Sequence, residues 1–161
     1  MAGYGTDQGL TDWLAENGLS LPADAPSEAV LRNRGAVYVD STYGGKLTCS
    51  ARAGGAEQER AWPRTAHPHV EAGTIPLAWV HASYRAAYLH ATTPGGLSTV
   101  TNANQRVQKQ RADVIERTFF DNGAPKLGEA VGLIDAEIDG LVAPFLCDQS
   151  VDLHEIGLRV I

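Results

Sequence analysis

Cysteine is scarce in this chain. Cys49 and Cys147 are the only two in 161 residues, and they stand far apart. One disulfide is the most they allow, and two free buried thiols in a reducing cytoplasm are the favoured reading. Basic residues are also in deficit. Thirteen Lys and Arg against nineteen Asp and Glu leave a net charge of −6. General affinity for nucleic acid comes from neutralising phosphates, so this balance disfavours a dedicated polyanion binder. Long apolar runs are missing, and none approaches the ~20 residues a membrane-spanning helix needs. The opening MAGYGTDQGLTDW has neither a basic n-region nor an apolar core, so no secretory signal is expected and synthesis in the cytoplasm is.

Motifs that carry chemistry are lacking too. No G-x-S-x-G elbow occurs, and neither cysteine has an activating context. GGAEQER and PGGLSTV lack the lysine of a phosphate-binding loop. His67-Pro68-His69 is the only metal-like spacing, with no cysteine or carboxylate at a helpful spacing and Glu71 the only nearby candidate. A polar loop is therefore favoured there. Asp135 and Asp139 fall one helical turn apart beside an apolar stripe, which reads as a solvated helix flank. The expectation is a non-enzyme with no metal and no cofactor.

What remains is a globular composition, 43% hydrophobic and 20% charged, in a length that fits one domain. The pattern predicts a mainly α fold: a four-helix bundle-like domain with a small β-hairpin, a long loop and an extended C-terminal arm. A short helix over 9–17 would be capped by Thr11 and ended by Gly18. A second, over 26–43, would take Asp24 as cap and present Val30, Leu31, Arg34, Val37, Tyr38 and Ser41 on one face. Residues 46–73 hold Gly54-Gly55 and two prolines and show no period, so they read as a long ordered loop pinned by Trp62.

The third helix is capped by Thr74, has Pro76 in its first turn and is closed by Pro94-Gly95-Gly96. Its stripe is Leu77, Val80, Tyr84, Ala87, Tyr88 and Ala91. A hairpin over about 104–121, turning near Ala112-Asp113, is read from partial alternation, with a charged helix as the competitor. The fourth helix, 126–143, carries Leu127, Val131, Ile134, Ile138, Leu141 and Phe145, and Pro144 ends or kinks it. Residues 1–147 thus form the helical domain and 148–161 the arm.

Two surface features stand out. Arg106, Lys109, Arg111 and Arg117 form the one basic cluster, diluted by Asp113 and Glu116. They are candidates for DNA or subunit contact, weighed against a solvated ribbon whose charges prevent edge pairing. Phe119 and Phe120 lie past these charges, so no basic and aromatic residues interleave to stack bases. The tail carries Val151, Leu153, Ile156, Leu158, Val160 and Ile161, too apolar for a solvated terminus. It either folds back on its own domain or docks on a partner.

Three strings are familiar in order and spacing. Arg34-Gly-Ala-Val-Tyr-Val-Asp-Ser-Thr-Tyr43, Gln58-Glu-Arg-Ala-Trp-Pro-Arg-Thr65 and Gly73-Thr-Ile-Pro76 resemble the phage DnaT-like single-stranded-DNA-binding family over about 26–145. Such proteins look like head–tail adaptors, or head-completion proteins, of long-tailed phages and gene transfer agents. The resemblance implies a ring, commonly of twelve subunits, in the neck of the virion. It would join the portal protein to a tail-side connector or tail terminator, with double-stranded DNA passing through without specific binding. The arm, with Val151, Leu153, Ile156, Leu158, Val160 and Ile161, would then be the portal-binding element. The alternative carried by the family label is single-stranded-DNA binding.

Overall fold

The computed structural model describes residues 2–93, 97, 109–112, 115–118 and 135–147. These residues are mostly helical, with two small antiparallel β ladders. Helix α1 spans Asp7–Glu16, α2 Glu28–Tyr43, α3 Leu77–Thr92 and α4 Ala136–Val142. Strands β1 (Ala51–Arg52) and β2 (Arg64–Thr65) pair within the long loop, and β3 (Lys109–Ala112) pairs with β4 (Ile115–Thr118).

The centre of the fold is the α2–α3 hairpin. Gly35 makes it possible, because a Cβ there would lie 2.1 Å from the Ser83 carbonyl oxygen. Small residues on α3, Ala82, Ser83, Ala86 and Ala87, are all buried at this crossing. Two apolar clusters grow from the hairpin. One joins Tyr43, Leu47, Trp62 and Trp79 to Ile138 and Val142 of α4. The other seats Leu10, Trp13 and Leu14 of α1 on Leu31, Tyr84 and Ala87.

Helix caps differ from the sequence expectation in each of the first three helices. Thr6, not Thr11, caps α1, its hydroxyl accepting from the Gly9 N–H at 2.9 Å. Thr11 lies inside the helix and turns its hydroxyl back on the Asp7 carbonyl. Ser27 rather than Asp24 precedes α2, and Pro76 rather than Thr74 precedes α3. The Gly18 stop is as expected, with φ at +65° just past the helix.

The buried faces are rotated as well. Leu77, Val30 and Val37, expected inside, are 67%, 42% and 46% exposed, while Gly35, Ala36, Val39 and Trp79 are buried instead. A face that packs through glycine and alanine carries little hydrophobicity to detect, so the larger aliphatic residues misplace it.

The cysteines correct a second expectation. They are not two free thiols, because Cys49 and Cys147 are bonded to each other with their Cα atoms 5.6 Å apart. The Cys147 N–H also donates to the Lys46 carbonyl at 3.1 Å, so the chain leaving α4 is laid against the start of the long loop. Proximity across 98 residues of sequence comes from this docking, which no local pattern announces.

The expected hairpin's strands pair in an antiparallel ladder that sets Ala112 opposite Ile115. For the fourth helix, Ala136–Val142 is described and followed by a 3-10 turn over Ala143–Phe145 that contains Pro144. Leu127, Val131 and Ile134 lie outside the described residues, as does the whole arm, 148–161.

Candidate functional site

The familiar strings are largely consumed by internal contacts. Asp40 sits at their centre. Its Oδ1 accepts from the Tyr4 hydroxyl at 2.7 Å and from the Trp79 indole N–H at 3.4 Å. Its Oδ2 accepts from the Ala61 N–H at 3.2 Å and lies 3.7 Å from the Arg60 guanidinium. Burial nevertheless raises the Asp40 pKa above the usual carboxylate value, the four donors opposing that shift. Burial and the adjacent Asp40 push the Tyr4 hydroxyl up as well, so it stays a donor. The same hydroxyl accepts from the Trp62 N–H at 3.1 Å, which ties the loop to the N-terminal segment.

Arg64 is the second anchor. It is 7% exposed and donates to the carbonyls of Ala61, Leu47 and Ser50 and to the Ser50 hydroxyl. Burial, and after it the charge of Arg52, lowers its pKa. Gln58 closes the loop by accepting from the Gly54 N–H and donating to the carbonyls of Arg60 and Pro63. Tyr43 reaches α4, donating to Asp139 Oδ1 at 2.6 Å.

The carboxylates of α4 are therefore not merely a solvated flank. Asp135 caps α4 through the Glu137 and Ile138 N–H groups and pairs with Arg85 at 3.2 Å, while Asp139 holds Tyr43. In these strings, Gly35, Asp40, Tyr43, Gln58, Trp62 and Arg64 all serve the fold.

What faces outward is a cleft of about 370 Å³ between α2 and α3, lined by Asn33, Arg34, Val37, Tyr38, Ser41, His90 and Leu97. Arg34 and Val37 are exposed at its rim. Tyr38 and His90 meet edge to face inside it, with ring centroids 6.4 Å apart. Burial and the neighbouring Arg34 hold the His90 pKa below its usual value. Chemically the cleft offers one exposed guanidinium, polar side chains and the apolar Val37 and Leu97, a set suited to a phosphate beside a small planar or apolar group. Sequence reasoning placed Arg34 on an inward face and missed His90, since only the α2–α3 crossing brings them together.

The basic cluster is divided. Arg106 lies outside the described residues. Lys109 and Arg111 are on β3 and Arg117 on β4, in a ladder that sets Arg111 opposite Glu116 and Arg117 opposite Gln110. The described cations therefore do not stand in one row. The arm residues Val151, Leu153, Ile156, Leu158, Val160 and Ile161 all lie outside the described residues.

The loop histidines gain partners that spacing did not show. His67 is 7% exposed, and a ring nitrogen of it lies within 4.8 Å of the sulfurs of both Cys49 and Cys147. No cysteine stands at a helpful sequence spacing from the His67-Pro68-His69 pair, and the fold brings both sulfurs to His67 all the same. The pairing of β1 with β2 brings Cys49 toward His67 within the loop, and the docking of α4 adds Cys147.

No curated protein and no solved structure matches the chain. A family model does, over residues 3–154, which extends the 26–145 resemblance at both ends and takes in α1. With a match over nearly its whole length, the chain belongs to the family described as "Putative DnaT-like ssDNA binding protein".

Proposed function

We propose that this chain contacts single-stranded DNA, weakly and without sequence preference, at the cleft between α2 and α3. Family membership supports this reading more directly than the adaptor role expected from the sequence. The observation that carries it is the cleft, which exposed Arg34 lines together with Tyr38 and His90. Arg34 would hold a phosphate, Asn33 and Ser41 would offer hydrogen-bonding groups, and Val37 and Leu97 would pack against the sugar or base edge.

A net charge of −6 bounds the strength. Affinity belongs in the non-specific range of ~10⁻⁴ to 10⁻⁶ M at physiological salt. Anisotropy of a labelled oligothymidylate should rise with protein at low salt and lose most of its signal as salt increases. Arg34→Ala should weaken it further. Absence of any binding at low salt rejects the reading, as does an affinity indifferent to Arg34.

A second reading is a non-enzymatic head–tail adaptor subunit in the virion neck, with portal protein, a tail-side connector or tail terminator, and its own copies in a ring as partners. Exposed Val30, Val37, Ile75 and Leu77 favour it, since isolated subunits of a ring keep apolar contact points on their surface. Passing duplex DNA would meet an acidic wall and slide without sticking. Under this reading, deleting 151–161 abolishes portal attachment and leaves the unfolding midpoint nearly unchanged. A chain that never cosediments with a portal would remove it.

A further inference from the structure

The α2–α3 cleft leaves one group of chemistry-bearing side chains unused. Cys49, Cys147 and His67 converge on a cavity of about 350 Å³ that they line together with His69 and Leu146. They come from two distant segments, the long loop and the chain leaving α4. Two sulfurs and an imidazole within 4.8 Å of one another are the donor set that soft divalent cations select. His67 is buried, Cys147 is 9% exposed and Cys49 is exposed, so the site has one open side.

We propose that the reduced Cys49–Cys147 pair, together with His67, binds Zn²⁺, with solvent in the fourth position. A disulfide belongs to oxidising surroundings, and in reducing ones the same pair is two thiols. Reduction by a dithiol transfers two electrons and two protons to the sulfurs, and the dithiol leaves as its own disulfide. Zn²⁺ then displaces both thiol protons and takes two thiolates. Tetrahedral Zn–S bonds of about 2.3 Å set the sulfurs roughly 3.8 Å apart. The backbone separation of 5.6 Å between the two Cα atoms leaves room for that adjustment.

His67 is already held in place. Its Nε2 hydrogen-bonds the Phe145 carbonyl at 3.0 Å, and its Nδ1 accepts from the His69 N–H at 3.2 Å. Binding a cation replaces one of these bonds, while the other fixes the ring as an outer-shell contact does in zinc sites. The metal and the disulfide are thus alternative clasps on one joint, fastening the end of α4 to the long loop in either redox state.

The test uses the full chain, reduced with a phosphine and handled without oxygen. Titration with Co²⁺ should give one equivalent bound, with sulfur-to-cobalt charge-transfer absorption and visible bands of tetrahedral geometry. Zn²⁺ should then displace the Co²⁺. The disulfide-bonded chain should give no such absorption. Cys49→Ser, at an exposed position, should fold as judged by circular dichroism and weaken Zn²⁺ binding by roughly a hundredfold. His67→Asn should abolish the tetrahedral bands. Three results would each overturn the proposal: no thiolate–cobalt absorption in the reduced chain, equal binding by the oxidised chain, or wild-type affinity in Cys49→Ser.

Discussion

Replacing Asp40 with alanine tests the internal network most sharply. The carboxylate accepts from Tyr4 at 2.7 Å and from the Ala61 N–H at 3.2 Å, with Trp79 and Arg60 further off at 3.4 and 3.7 Å. Ala61 is 1% exposed and Tyr4 3%, so these two donors are left with little access to water. Each buried donor without a partner costs about 1–3 kcal/mol. The desolvation of Asp40 itself, seen in its raised pKa, subtracts from that cost. Breaking such a buried charged cluster from one side is expected to lose about 3–5 kcal/mol. For a chain of this length that lowers the midpoint of thermal unfolding by roughly 6 to 20 °C.

Differential scanning calorimetry and urea titration on wild type, Asp40→Ala, Tyr4→Phe and the double variant give the full cycle. Tyr4→Phe should cost about 1–3 kcal/mol, because the Trp62 N–H also loses its acceptor. The double variant should be less destabilised than the two losses added, by at least about 0.5 kcal/mol. An Asp40→Ala chain within about 1 kcal/mol of wild type, or strict additivity with Tyr4→Phe, would refute the reasoning.

Gly35→Ala should lose about 1–3 kcal/mol in urea titration, since the new Cβ would lie 2.1 Å from the Ser83 carbonyl; a gain from helix propensity would show the crossing is looser than described. Reducing the Cys49–Cys147 bond in metal-free buffer should cost about 2–5 kcal/mol, as the bond closes a loop of 98 residues; an unchanged urea midpoint would contradict this. His90 is held below its usual pKa, so the unfolded chain takes up the proton first, and stability should fall as pH drops through about 6.5. His90→Gln should flatten that part of the pH profile, and an identical slope in both chains would remove His90 as its source.

Much of the fold was legible in the sequence because its markers are local. Gly18 lies just past α1, Gly44 ends α2, and Pro76 precedes α3. The hairpin followed from partial alternation, with the β-branched residues in its second half. The facing of α2 and α3 was not legible, since Gly35, Ala36, Ser83 and Ala86 pack by being small and not by being hydrophobic. The strings Arg34–Tyr43 and Gln58–Thr65 were visible as a signature, and their meaning required contacts. Asp40 and Arg64 look like surface charges until Tyr4, Leu47 and Ser50 are brought to them. The Cys49, His67 and Cys147 cluster is the extreme case, because neither half of it has a spacing that points to the other.

The most direct test of the proposed function is an equilibrium titration of labelled oligothymidylate with the disulfide-bonded chain, at low and at physiological salt, beside Arg34→Ala. The cleft predicts binding in the range of ~10⁻⁴ to 10⁻⁶ M at physiological salt, tighter at low salt, and clearly weaker in the variant. Anisotropy that stays flat at every salt concentration, or that follows one curve for wild type and Arg34→Ala, would contradict it.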